Sequence, residues 1–455
     1  MRIAIKSKRI FSIVFKTISL PKQSAMLKPP FTFGVATASF QIEGARDTRL
    51  TCIWDTFCAE PNTIADQSNG DIACQHVQYW QQDIDMIADL AVDAYRLSIS
   101  WPRVINQDGN VNQQGITFYR KLLTALKARN IKTYVTLYHW DLPQYLEDEG
   151  GWQNRDTAYA FAAYTDIVSL AFKGLVDSYA TLNEPFCSAY LGYEIGVHAP
   201  GIKSQKAGRH AAHHLLLGHG LAMKILRKNC PDVEAGIVLN FSPTYPLTEE
   251  DKLAAQRADQ YHNQWYIKAV LEGQYPSLIN ELPLDVQPNI APDDMAIISQ
   301  SIDFLGVNYY TRIHYQKTAD DGFEEVALPD VAITDMGWEI YPQGLTELLT
   351  SLNKLYTLPK VYITENGAAM ADTRQGNQVL DYDRVSYYHT HLNAVDDAIK
   401  QGVDVQGYFA WSLMDNFEWA YGYEKRFGLV YIDYITQQRI LKESAKQYRA
   451  LLKQR

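Results

Sequence analysis

Two glutamates stand in matching settings 181 positions apart. Glu184 closes the apolar run of "SYATLNEP" (178–185), and Glu365 closes that of "VYITENG" (361–367). Each follows a β-rich stretch and precedes a breaker, Pro185 in one case and the Asn366-Gly367 pair in the other. If the fold brings them together, two carboxyl groups are the minimum equipment for cleaving a glycosidic bond. One protonates the leaving oxygen, and the other attacks or assists at the anomeric carbon. The plainer reading makes one of them an ion-pair partner, for instance of Arg96.

What must position such a pair is legible as a series. Eight short β-rich runs recur: residues 31–39, 94–100, 132–140, 178–184, 234–240, 303–310, 360–365 and 405–413. Most are apolar almost throughout, as strands buried on both faces are. Amphipathic segments separate them, such as 118–130 and the stretch from Tyr388 to Gly402, and helices there would return each strand parallel to the last. This pattern predicts a single α/β domain, a (β/α)8 (TIM) barrel. A doubly wound sheet is the alternative, but no G-x-G-x-x-G follows any of the runs. A barrel gathers its active site at the C-terminal strand ends. Polar and aromatic residues cluster there: Gln41, His139, Trp140, Asn183, Glu184, Asn308, Tyr310, Glu365, Trp411, Glu418 and Trp419, with Arg96 inside the second run. Strands four and seven would set Glu184 and Glu365 across the barrel mouth from each other.

At this point the chain resembles family 1 glycoside hydrolases, the β-glucosidase family. "TLNEP" and "ITENG" resemble its two catalytic signatures. The likeness continues in order through "FGVATASFQIEGA", "IWDTF", "DAYRLSISWPRV", "YHWDLPQYL", "GVHAPG", "LGVNYYT", "MGWEIYP" and "WSLMDNFEWAYGYEKRFGLVYIDY", from about Pro30 to the C-terminus. The resemblance implies retaining chemistry on β-glucosides such as cellobiose or aryl and alkyl glucosides, with no cofactor. Glu365 would be the nucleophile and Glu184 the acid/base, with the charge of Glu365 holding Glu184 protonated. Arg96 and Tyr310 match positions that support the nucleophile. Asn183 matches the one at the sugar 2-hydroxyl. Gln41, His139, Glu418 and Trp419 match positions at the other glycon hydroxyls. Trp411 would be an apolar floor, Trp140 would line the same pocket, and Trp338 matches an aglycone-side wall. Two rivals share this frame, a 6-phospho-β-glycosidase and a catalytically inactive carbohydrate-binding barrel. A myrosinase-like role is disfavoured, because those enzymes replace the acid/base glutamate.

Composition bounds the rest. The 455 residues are 47% hydrophobic and 21% charged, enough for a large core. A net charge of −10 argues against general nucleic-acid binding. Five cysteines (52, 58, 74, 187 and 230) with no C-x-x-C pair read as reduced thiols. No stretch approaches a membrane span. His210, His213, His214 and His219 fall at helical spacings but form no H-E-x-x-H, so a metal is not expected. His198 and Cys187 read as packing residues. Residues 1–28 carry seven of the 42 basic residues and precede the first acidic one, Glu43. They are expected to be a disordered extension, or a start assigned too early with Met26 the true one, ahead of a barrel spanning 29–455. A cytoplasmic enzyme acting on small β-glycosides follows, exported or organellar if that segment is a targeting signal. The oligomeric state is left open.

Overall fold

The computed structural model describes residues 27–320 and 322–455. Eight strands close into one parallel barrel: β1 (Thr32–Ala36), β2 (Ala94–Ser98), β3 (Lys132–Tyr138), β4 (Ser178–Asn183), β5 (Glu234–Phe241), β6 (Phe304–Tyr309), β7 (Lys360–Asn366) and β8 (Val405–Trp411). Each pairs with its neighbours in sequence, and β8 returns to β1 with Thr32 opposite Gly407 and Ala36 opposite Trp411. A helix follows every strand: α1 (His76–Asp89), α2 (Gln113–Ala128), α3 (Asp156–Ala171), α4 (Gln205–Asn229), α5 (Trp265–Glu272), α6 (Pro342–Leu355), α7 (Tyr382–Lys400) and α8 (Glu443–Leu452). Two of these begin earlier than their apolar periodicity implied. The Asn112 side chain caps α2 by accepting from the Gln114 N–H, and Asp381 precedes α7.

The apolar runs are explained by burial on both faces. Outward residues such as Leu97, Leu137, Leu239 and Val307 pack under the helices. Inward ones form a separate core that alternates small and large. Ala94, Ala180 and Val238 leave room for Tyr134, Phe304, Tyr362 and Phe409, whose rings meet at centroid distances of 4.9 to 5.5 Å. Gly34 is part of this fit, since a Cβ there would lie 2.3 Å from the Phe409 ring. This plug closes the barrel beneath the strand ends, so whatever binds there rests on a filled floor.

Several strands stop short of the expected runs. His139 and Trp140 lie just past β3, Glu184 just past β4, and Tyr310 just past β6. The cause is local backbone geometry: Trp140 (φ 81°) and Glu184 (φ 47°) are left-handed, which breaks the pleat. Gln41 lies on a helical turn, Ser39–Ile42, beyond β1. The packed body also reaches back further than residue 29, because Leu27 is buried in the core. The basic segment before it lies outside the described residues.

Candidate active site

Glu365 ends in a cradle of two donors, one on β2 and one just past β6. Arg96, pointing inward from β2, gives its carboxylate a 2.6 Å ion pair, and the Tyr310 hydroxyl donates to the other oxygen at 2.7 Å. The second Arg96 amino group donates at 2.6 Å to the Asn183 side-chain oxygen, which ties β2 to both glutamate-bearing strands. All of these groups are nearly fully buried except Tyr310, so the charges are strongly felt.

Glu184 has a different environment. Its backbone N–H bonds the Val238 carbonyl on β5, and its side chain accepts from the Asn308 amide at 2.6 Å. The Cys187 thiol, one turn on, donates to its other oxygen at 3.2 Å. Among the described residues no cation touches it. Burial raises its pKa, the charge of Glu365 adds to this, and the donors oppose it only in part, leaving it at about 8. Desolvation is thus a larger cause than the neighbouring charge expected from the sequence. A left-handed non-glycine residue costs on the order of 1–3 kcal/mol, a strain that aims this carboxyl at the cavity.

The cavity of about 740 Å³ is lined at its inner end by both glutamates, His139, Trp140, Asn308, Tyr310, Trp338, Trp411, Glu418 and Trp419. Trp411, Trp419 and His139 present near-parallel rings, at 5.8 and 6.0 Å from the histidine. Burial and Arg96 hold His139 well below its usual pKa, so its ring is neutral and accepts from the Asn183 amide through Nε2. Trp338 packs against Tyr310. Burial, then the charges of Glu365 and Glu184, raise Glu418 to about 8 as well.

Three expected sugar-contact residues are also bonded within the protein. Gln41 and Asn183 lie behind the lining, with Gln41 donating to Asn416 and to the Phe417 carbonyl. The Asn183 amide is shared among Arg96, Asn308 and His139, and the Asn308 oxygen accepts from Thr364. Residue type marks these amides as site residues, and the structure adds the protein partners that orient them, while the Gln41 side-chain oxygen has no partner among the described residues. Cys187 is a correction: it touches the acid/base candidate rather than merely packing. His198 packs against Trp54 and Trp140 at the cavity wall. Neither carried a signal in the sequence beyond its distance from Glu184. On α4, His213 pairs with Asp294 and Tyr275, His214 with the Trp152 carbonyl and His219 with Thr181.

A closed parallel barrel with two unlike carboxyls at its mouth defines a class, and comparison with known proteins specifies it. The sequence pattern of glycosyl hydrolase family 1 matches residues 23–455, and the chain belongs to that family. A β-glucosidase of Agrobacterium sp. (strain ATCC 21400) is 46% identical over 431 residues, covering 92% of this chain and 94% of that one. A 1,4-β-D-glucan glucohydrolase of Thermotoga neapolitana is 42% identical, covering 93% and 97%. Among solved structures, the family 1 β-glucosidase of Exiguobacterium antarcticum B7 superposes with a TM-score of 0.91 at 41% identity, covering 94% of this chain and 98% of that one. The virulence factor SghA of Agrobacterium tumefaciens, solved with its substrate analog salicin, gives 0.90 at 44%, covering 93% and 95%. The chain is a retaining glycoside hydrolase of the β-glucosidase type.

Proposed function

We propose that this enzyme removes terminal, non-phosphorylated β-D-glucosyl residues by double displacement, with Glu365 as nucleophile and Glu184 as acid/base. The observation that carries the assignment is the asymmetry between the two carboxyls. Glu365 accepts from a guanidinium and a phenol, which favours a carboxylate ready to attack. Glu184 is held at about 8 and keeps its proton at neutral pH, ready to give it to the departing oxygen. When Glu365 becomes a glycosyl ester its charge disappears. The electrostatic share of the Glu184 shift goes with it, and Glu184 can then take a proton from water. Retention requires carboxyls about 5–5.5 Å apart, close enough for direct attack. The neutral His139 ring, the Trp411 face and Glu418 supply hydrogen bonds and an apolar surface for the glucosyl unit.

The test is the nucleophile. Glu365→Gly should abolish hydrolysis and leave a cavity on that side of the sugar. Azide supplied with an activated aryl β-glucoside should then enter it and give the α-glucosyl azide, identified by NMR. The β-azide would mean that attack comes from the other side and that Glu365 has another role.

A further inference from the structure

Glu418 and Trp419 enter the cavity from one tight turn. The Glu418 backbone N–H donates to the Gly422 carbonyl at 2.6 Å, and the Gly422 N–H donates back to the Trp419 carbonyl at 3.0 Å. The turn is not relaxed. Trp419 is left-handed at φ 46°, and Gly422 has φ 58° and ψ −127°, a combination that favours glycine. A left-handed residue with a large side chain persists only where its surroundings hold it.

What holds this turn comes from far away in the chain. The connection between β1 and α1 passes beside it, and the Ala65 N–H donates to the Ala420 carbonyl at 2.8 Å. Asp66, the next residue, makes the charged link. Ser68 fixes one carboxylate oxygen of Asp66 through its N–H at 3.0 Å and its hydroxyl at 2.5 Å. The other oxygen is left to accept from the Tyr423 N–H at 2.7 Å. The approach is close: a Cβ on Gly422 would lie 1.9 Å from the Asp66 carboxylate. The Tyr423 hydroxyl donates to the Asn69 carbonyl at 2.7 Å, so the two segments are tied in both directions. Asp66 itself is exposed and does not line the cavity, which places it to orient the turn and not to touch a sugar.

Resting on the β-glucosidase reading above, we propose that Asp66 is a positioning residue for the glycon: by holding the turn from Glu418 to Tyr423 it keeps Glu418 aimed at a sugar hydroxyl. A carboxylate accepting from a backbone N–H is among the stronger hydrogen bonds. The bond it protects weakens steeply once its angle is spoiled. The effect therefore appears as lost discrimination between a substrate that carries the hydroxyl and one that lacks it.

The experiment uses p-nitrophenyl β-glucoside and its 3-, 4- and 6-deoxy analogues. Glu418→Ala shows which hydroxyl that side chain holds, as the analogue whose kcat/KM penalty it removes. In the wild type that penalty should be roughly fivefold or more. Asp66→Ala should cut it to less than half and leave the penalties at the other positions unchanged. Asp66→Asn, which keeps an acceptor oxygen, should retain most of it. Because each penalty is a ratio within one protein, a general loss of activity cancels. Gly422→Ala strikes the same contact from the other side and should act like Asp66→Ala, so it decides if the latter does not fold. Penalties that match the wild type in these variants, or that fall alike at every position, overturn this inference and leave the β-glucosidase reading standing. No turnover of the β-glucoside by the wild type overturns both.

Discussion

The acid role proposed for Glu184 requires its proton, so activity should fall as pH rises through about 8. The Cys187 thiol donates to the charged form and therefore opposes the raised pKa. Removing it should raise that pKa further, and Cys187→Ala should carry the alkaline limb of kcat/KM to higher pH. Cys187→Ser, with a stronger donor, should carry it lower. Limbs that stay fixed in both variants would show that the 3.2 Å contact is not felt by the acid. The two glutamates could be read from the sequence because each ends an apolar run before a breaker. Cys187 could not, because its role depends on which carboxyl oxygen it faces. Asn183 and Asn308 are the converse case: their residue type announces hydrogen bonding, and only packing shows that Arg96 and Glu184 are among their partners.

At the level of elements, the loop that follows β8 bears on the preference proposed for free over phosphorylated sugars. It carries Glu418 into the cavity and turns its cations away from it. Lys425 bonds Asp335, Arg426 pairs with Asp415 at 2.6 Å, and neither lines the cavity. Arg312, the one arginine or lysine in the lining among the described residues, is held by Glu339. A 6-phosphate bears nearly two negative charges and would find no free cation beside two buried acids. With Glu418 raised to about 8, the penalty comes more from this missing cation than from direct repulsion by a carboxylate. The enzyme should hydrolyse p-nitrophenyl β-glucoside with a kcat/KM at least a hundredfold above that of its 6-phosphate. Equal values would mean the loop rearranges to offer Lys425 or Arg426. The strand count and order were legible here because burial on both faces leaves a plain signature. The exact strand ends and the two π-helical turns, Cys187–Glu194 and Gln260–Gln264, were not, since both depend on how the chain turns at the barrel mouth.

Across the whole molecule, the active-site loops are anchored to the C-terminal part of the chain by a buried charge network. Lys442, just before α8, pairs with Asp372 at 2.5 Å and Asp415 at 2.6 Å, with all three side chains almost completely buried. Arg384 on α7 pairs with Asp372 at 2.9 Å and donates to the Ala368 carbonyl, three residues after Glu365. Asp415 lies between Trp411 and Glu418, so a single lysine ties together the segments after β7 and β8. No sequence pattern announces this, because its members are far apart in the chain and meet only when the barrel closes. Burial lowers the Lys442 pKa although both carboxylates oppose it, so the ammonium is kept at a desolvation cost. Removing it would leave two buried carboxylates short of a partner. Lys442→Met should destabilise the fold by about 3 kcal/mol, toward the low end for a broken buried pair because Arg384 and Arg426 remain. The dependence on pH follows from Asp372, whose pKa is lowered, burial opposing and the Lys442 and Arg384 charges prevailing. Its contribution is present above the ordinary carboxylate range and is lost as pH falls through the depressed native value. The deficit of Lys442→Met should therefore be full at pH 7 and shrink below about pH 4, as Asp372, short of its lysine, takes up a proton. Thermal unfolding of both proteins across that range measures it, and a deficit that is absent at pH 7 or grows on acidification would contradict the role given to this network.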